Sequence, residues 1–224
     1  MSALHVLRVF LGRGGGGGNP LGVFVDGASI PKKQRQAVAA DLGFSETVFV
    51  DDASSGRIAI FTPATELPFA GHPTVGTSWL LDRLGKPVDV LRPPAGEVRT
   101  WRDGDLTWIR ARAEWAPPFR LVEYATAAEL DALVPPRMGD PGFYAWAWLD
   151  PGGGDIRARS FPTDLGIAED EATGAAAVLM GARLGRPLTI RQGVGSELHV
   201  RPGPDRTVEV GGRCGFLETR EYKL

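Results

Sequence analysis

Two stretches of this sequence, one hundred residues apart, are written in the same order. Arg57, Phe61, Arg83, Leu84, Gly85 and Pro87 are matched by Arg157, Phe161, Arg183, Leu184, Gly185 and Pro187, and Lys86 by Arg186. Each stretch reads strand, loop, low-polarity helix, Leu-Gly-basic-Pro, strand. Constant spacing over so many positions predicts an internal duplication. A duplication constrains the fold more tightly than any single motif. With 224 residues, the chain has room for two small domains. The expected division is 1–104 and 105–224, with the last strand free to return to the first domain. Each half is expected to wrap a strongly curved sheet around one central helix, an α+β architecture.

The two helices support this reading. The segments 73-PTVGTSWLLDRLG-85 and 173-TGAAAVLMGARLG-185 carry few charges before their last turns. A surface helix shows a polar stripe, so these are expected to be enclosed nearly all round. Gly76, Thr77 and Ser78 are small enough to let strands approach. Elsewhere the pattern predicts strands over 3–12 and 20–26, joined through 12-GRGGGGGNP-20 as a hairpin connection. No Gly-Lys-Ser/Thr follows those glycines, so they are not a phosphate-binding loop. An amphipathic helix is expected over 31–42, ended by Gly43. Further strands are expected over 46–50, 57–61, 97–101, 105–111, 143–149, 156–161, 188–192, 197–201 and 206–210, with a short helix near 126–134.

Composition excludes several classes of function. A formal charge of −2 and a pI near 6.0 give no basic footprint for nucleic acid. No apolar run approaches the roughly 20 residues that span a bilayer. The opening MSALHVLRVF lacks the features of a signal peptide and reads as a first strand. Cys214 is the only cysteine, so neither an internal disulfide nor a pair of catalytic thiols is available within the chain. A cytoplasmic protein without a membrane partner is the expectation.

The chemistry concentrates at the two helix starts. Helices usually begin on Ser, Thr, Asp or Asn, yet the first of these opens on Gly71-His72-Pro73-Thr74. The second opens after 169-EDEATG-174. A helix N-terminus presents free N–H groups and about half a positive charge, which suits an anion. Two such ends facing one cleft would hold a carboxylate without Arg or Lys. Gly71 and Gly174 would let the backbone come close to a ligand, while His72 and Asp170 would add one polar group from each side. Each has a plain alternative. His72 could simply cap its helix, Asp170 could cap a helix that starts early, and Glu169 and Glu171 read as solvated or dipole-complementing charges. Glu46, heading the apolar strand 46-ETVFV-50, is either a surface residue or a general acid/base whose pKa burial raises toward neutrality. No Gly-x-Ser-x-Gly elbow, metal-ligand spacing or nicotinamide or flavin fingerprint is present, so neither cofactor nor metal is expected.

The segments 18-GNPLGVF-24, 45-SETVF-49, 61-FTPATELPFAGHPTVG-76 and 161-FPTDLGIAEDEATGAAA-177 together resemble the phenazine-biosynthesis isomerase (PhzF-like) family. Its fold groups with the diaminopimelate epimerases. The resemblance implies two β-barrel-like domains, each around a central helix, with the site in the cleft between them, and a homodimer. It implies that Glu46 is the acid/base glutamate, that His72 and Asp170 meet the substrate's polar groups, and that Gly71 lies at a carboxylate pocket. Asn19, Gly174 and Ala175 would complete the substrate-binding set. Characterised phenazine enzymes of this kind move a proton on a cyclic dihydro-hydroxyanthranilate without a cofactor. Two departures stand out: Glu171 and Ala175 occupy positions that commonly hold Pro and Ser. The chain is also shorter than typical members. The epimerase relatives use two cysteines, which are missing from these helix starts.

Two classes of function follow. One is a cofactor-independent isomerase moving a proton on a small carboxylate, with epimerisation by Glu46 and a second group as a variant. The other is a binding protein that keeps the anion pocket and has lost catalysis, a reading that Ala175 motivates.

Overall fold

The computed structural model describes residues 2–223. The first half contains β1 (Ser2–Leu11), β2 (Gly17–Phe24), α1 (Lys32–Leu42), β3 (Glu46–Asp52), β4 (Arg57–Phe61), β5 (Glu66–Leu67), α2 (Gly71–Arg83), β6 (Val90–Leu91), β7 (Val98–Asp103) and β8 (Leu106–Arg112). The second contains β9 (Leu121–Glu123), α3 (Ala127–Asp131), β10 (Phe143–Asp150), β11 (Asp155–Phe161), α4 (Gly174–Leu184), β12 (Leu188–Gln192), β13 (Ser196–Pro202) and β14 (Thr207–Tyr222).

The two halves repeat one topology. In the first, β2 lies parallel to β3, β3 antiparallel to β4, and Arg57 of β4 bridges in parallel to Arg92 beyond α2. In the second, β9 lies parallel to β10, β10 antiparallel to β11, and β11 parallel to β12 beyond α4. The repeated Leu-Gly now has a physical meaning. Gly85 (φ 72°) and Gly185 (φ 62°) take the left-handed conformation that ends each central helix. Glycine adopts that conformation without a steric penalty.

Strand β14 joins the halves. It pairs with β13 and β8 along its first part and with β1 along the rest. Helix α2 packs on β1, β2, β3, β7, β8 and β14, and α4 on β13 and β14. Residues 71–78 of α2 are all buried, as the missing polar face predicts. A Cβ on Gly76 would lie 2.5 Å from Leu21 and 2.6 Å from Val9, so glycine lets this helix press on the β1–β2 hairpin. The main core runs from Leu7, Val9 and Leu21 through α2 and α4 to Val200 and Val210.

The structure departs from the sequence reading in three places. The two- and three-residue strands β5, β6 and β9 are too short to show a period. Helix α3 is shorter than the 126–134 expected. Strand β14 runs on through Gly211 and Gly212 to Tyr222, well past the 206–210 expected. Those glycines make room for aromatic rings. A Cβ on Gly211 would lie 2.4 Å from the Trp108 indole, and one on Gly212 would lie 2.3 Å from Phe10. The 104/105 division falls in the turn between β7 and β8, where Asp103 pairs with Leu106.

Candidate active site

Helices α2 and α4 meet at their N-terminal ends. A Cβ on Gly71 would sit 2.8 Å from the Gly174 carbonyl carbon, and one on Gly174 would sit 2.6 Å from the His72 nitrogen. The two glycines therefore admit each other's backbone, whereas the sequence suggested that they admit a ligand. Neither helix has a side-chain cap. The N–H groups of Gly71 and His72, and of Gly174, Ala175 and Ala176, lack partners within their helices. Two positive helix ends lie side by side, and nearby negative charge stabilises that arrangement.

Two carboxylates are held there. Glu46 leaves the start of β3 beside Leu21 of β2 and its Oε2 lies 3.0 Å from His72 Nδ1. The Glu46 side chain is 16% exposed and that of His72 is 2% exposed. His72 Nε2, also buried, has no protein partner among the described residues. Asp170 comes from the second half, where its N–H donates to the Ser160 carbonyl of β11 at 2.9 Å. Asn19 Nδ2 donates to Asp170 Oδ1 at 2.6 Å, and Thr173 Oγ1 donates to Oδ2 at 2.6 Å.

The two carboxyl groups respond oppositely. Burial pushes Glu46 up, but the His72 charge and hydrogen bond outweigh it, with Ser45 assisting, and the net direction is down. The rise expected from the strand's apolar character is thereby reversed, because sequence alone did not show the imidazole contact. Burial also pushes Asp170 up, and the Glu46 charge adds to it. Thr173, His72 and Asn19 only partly offset this, leaving Asp170 at about 7. The group poised near neutrality is Asp170.

Gln192 holds the Asp170 side together. Its Oε1 accepts from Tyr144 Oη at 3.1 Å and from the Thr173 N–H at 3.2 Å. Its Nε2 donates to the Asp170 carbonyl at 2.8 Å and to Thr173 Oγ1 at 2.9 Å. Receiving that proton leaves the Thr173 hydroxyl to donate its own to Asp170. The one sequence signal for Gln192 is phase: it follows Leu188 and Ile190 on the inward face of β12. Asn19 sits behind Asp170, where its NH2 also donates to the Ala172 carbonyl at 3.1 Å and its Oδ1 accepts from Ser45 at 3.3 Å.

Glu169 and Glu171 are not free surface charges. Glu169 forms a two-pronged pair with Arg159, both contacts 2.8 Å. Glu171 accepts from the Val194 N–H at 3.0 Å and from Ser196 Oγ at 2.8 Å. Ser196 Oγ in turn accepts from the Gly18 N–H at 2.9 Å. The carboxylate at this position thus ties the Asp170 loop to the β12–β13 turn and, through Ser196, to the start of β2.

Glu46, His72, Asp170, Gly71, Gly174 and Ala175 all line one cavity of about 50 Å³; Asn19 does not. Apart from Thr62 and Thr173 the remaining wall is apolar, including Phe69, Phe119, Leu165 and Ile167, and no Lys or Arg contributes to it. Among the described residues, no group of three or more His, Cys, Asp or Glu is placed to hold a metal ion. None of the described helices is long and apolar enough to cross a membrane.

Comparison with known proteins follows the same outline. Residues 12–129 match the family model described as phenazine biosynthesis-like protein. The trans-2,3-dihydro-3-hydroxyanthranilate isomerase of Pseudomonas fluorescens is 30% identical over 79% of this chain and 81% of its own. The enzyme of the same name from Pseudomonas aeruginosa is 30% identical over 92% and 94%. Among solved structures, a PhzF-family phenazine biosynthesis protein from Bacillus anthracis superposes with a TM-score of 0.80 at 17% identity, covering 100% of this chain and 99% of that one. A probable proline racemase from Agrobacterium radiobacter K84, solved with bound carbonate, superposes with a TM-score of 0.63 at 12% identity, covering 100% and 93%.

Proposed function

The chain belongs to the phenazine biosynthesis-like family and is an isomerase of that kind; from this premise we propose that it moves a proton on a small carboxylate substrate, with Glu46 as base and Asp170 as acid. The observation that carries this reading is the opposite push on two carboxyl groups lining one cavity. A pair of titratable groups driven apart in this way is the usual mark of a base and an acid.

The substrate carboxylate lies against the paired helix ends, held by N–H groups of Gly71, His72, Gly174 and Ala175. Ionised Glu46 removes a proton from a carbon made acidic by conjugation, leaving the electron pair delocalised toward the bound acid. His72 keeps Glu46 ionised and orients it: an ionised carboxylate only accepts, so Nδ1 carries the hydrogen. Asp170 returns a proton at a second carbon of the conjugated system, and one intervening exchange of protons with solvent resets both groups. Thr173 and Asn19 fix the Asp170 geometry. Apolar walls keep water from the carbanion-like intermediate. A cavity of about 50 Å³ is well below the 150 Å³ that accepts benzene, so a ring-sized acid enters only as the walls part.

If Glu46 and Asp170 reach opposite faces of one carbon, the same pair performs epimerisation. Incubating a bound acid in heavy water distinguishes the readings. Isomerisation incorporates deuterium at a new carbon, and epimerisation incorporates it at the inverted one. Ligand stabilisation with no incorporation across a panel of small unsaturated, amino and hydroxy acids would overturn both and leave a binding protein.

A further inference from the structure

We propose that Glu171 is a positioning residue for Asp170, clamping the loop that carries Asp170 to the β12–β13 turn and, through Ser196, fixing Asn19 against the Asp170 carboxyl group. The Glu171 side chain leaves that loop one residue after Asp170 and is taken up by the turn. Both of its oxygens accept from the Val194 N–H at 3.0 Å, and Oε1 also accepts from Ser196 Oγ at 2.8 Å. Gly193, at φ 58°, leaves no room for a Cβ beside this carboxylate. Ser196 relays the clamp to the first half. It is buried, and its Oγ accepts from the Gly18 N–H at 2.9 Å. With that lone pair occupied, its own hydrogen is directed to Glu171.

The glycine run gains a purpose from the same contacts. A Cβ on Gly12 or Gly17 would run into the Gly195 backbone, and Leu11 of β1 pairs with Ser196. Bare backbone therefore seats the first half on the second half's turn, and Asn19 follows directly. Its Nδ2 reaches Asp170 Oδ1 at 2.6 Å and the Ala172 carbonyl at 3.1 Å, on the two sides of Glu171. A closed cycle results, running from Glu171 through Ser196, Gly18 and Asn19 to Asp170. Loosening its Glu171 end lets the Asn19 bond lengthen. A donor to a carboxylate favours the ionised form, so the clamp bears on when Asp170 holds its proton. The charged groups facing Asp170 are Glu46 of β3 and His72 of α2. Tyr144 of β10 is bonded to Gln192, and Glu169 is paired with Arg159. The effect of the clamp on turnover rests on Asp170 acting as the acid, whereas its effect on Asp170 itself does not.

A carboxyl carbon NMR titration of Asp170, in the full chain and three variants, tests the clamp. Glu171→Asp keeps the charge and loses the reach, and Ser196→Ala breaks the relay to Gly18. Each is expected to raise the Asp170 midpoint by about half to one pH unit, the weakening of one hydrogen bond to a charged group. Glu171→Gln keeps the reach and an acceptor oxygen, and is expected not to raise it. In the first two variants the alkaline limb of the rate profile moves up with the midpoint, and kcat falls while KM is unchanged. Thermal unfolding checks the fold; Glu171→Asp and Ser196→Ala open the same cycle at different points, so one folded variant of the two suffices. A midpoint that stays in place in a folded variant, or that Glu171→Gln raises equally, would overturn the proposal. If Asp170 of the unmodified protein titrates among ordinary aspartates, its role as the acid fails instead, and the same three variants still decide the clamp.

Discussion

The two halves of this molecule present the same object, the uncapped start of a buried helix, and set different chemistry beside it. In the first half a carboxylate is paired with an imidazole, Glu46 with His72, and is held low. In the second, Asp170 is surrounded by neutral donors, Asn19 and Thr173, which do not offset the cost of burying charge, and it rises to about 7. On the proposed reading, the duplicated scaffold offers a symmetric grip for an anion, and unequal partners set two similar acids to work as a base and an acid. The halves also depend on each other, since Asn19 of the first positions Asp170 of the second.

The comparison can be broken most sharply at its base. Glu46→Gln is expected to lower kcat/KM by about 10³-fold or more, a loss in the range of general acid–base catalysis. Ligand binding, followed by thermal shift, should stay within a few-fold of the parent. Asp170→Asn removes the acid and is expected to cost about 10²-fold. The parent should lose activity as pH rises through about 7, where Asp170 gives up its proton, and this limb should vanish from the residual activity of the variant.

The same group predicts a stability effect with a definite sign. The folded pKa of Asp170 is raised from an ordinary value of 3.8 to about 7, so the folded state binds this proton more tightly. Its contribution is full below about 4 and is lost progressively as pH rises to about 7. Asp170→Asn is therefore expected to gain stability relative to the parent above pH 7, by a few kcal/mol at most. Urea titrations at pH 5 and pH 8 check it; a difference that does not change between them contradicts it.

Smaller effects sharpen the contrast. Gly71→Ala forces a Cβ into the Gly174 backbone and is expected to destabilise the fold by about 1–3 kcal/mol. His72→Asn removes the partner that outweighs burial at Glu46. The Glu46 pKa should then rise, and the acid limb of the rate profile should move toward neutrality. An unmoved limb would mean that the imidazole does not set the charge of Glu46.

Much of this arrangement is legible in the sequence, for identifiable reasons. The hundred-residue spacing and the missing polar faces of the two helices reveal the repeat and its buried centres. The odd helix starts point to His72 and Asp170. What the sequence conceals is contact between distant segments. Nothing local in 45-SETVF-49 shows that an imidazole 26 residues later sits 3.0 Å from Glu46, and that contact reverses the direction of its pKa. Nothing near Glu171 shows the turn it grips at Val194 and Ser196. Nor does the sequence show that the strand expected over 206–210 continues through Gly211 and Gly212, because the Trp108 and Phe10 rings that fill the space there come from other strands.

The opposite protonation of the two acids is best tested by a carboxyl carbon NMR titration of the free protein, with Glu46 and Asp170 assigned from their Gln and Asn variants. The expected result is a midpoint near 7 for Asp170, while Glu46 remains ionised and titrates below the ordinary glutamate range. Asp170 titrating among ordinary aspartates, or Glu46 taking the neutral midpoint in its place, would contradict the account.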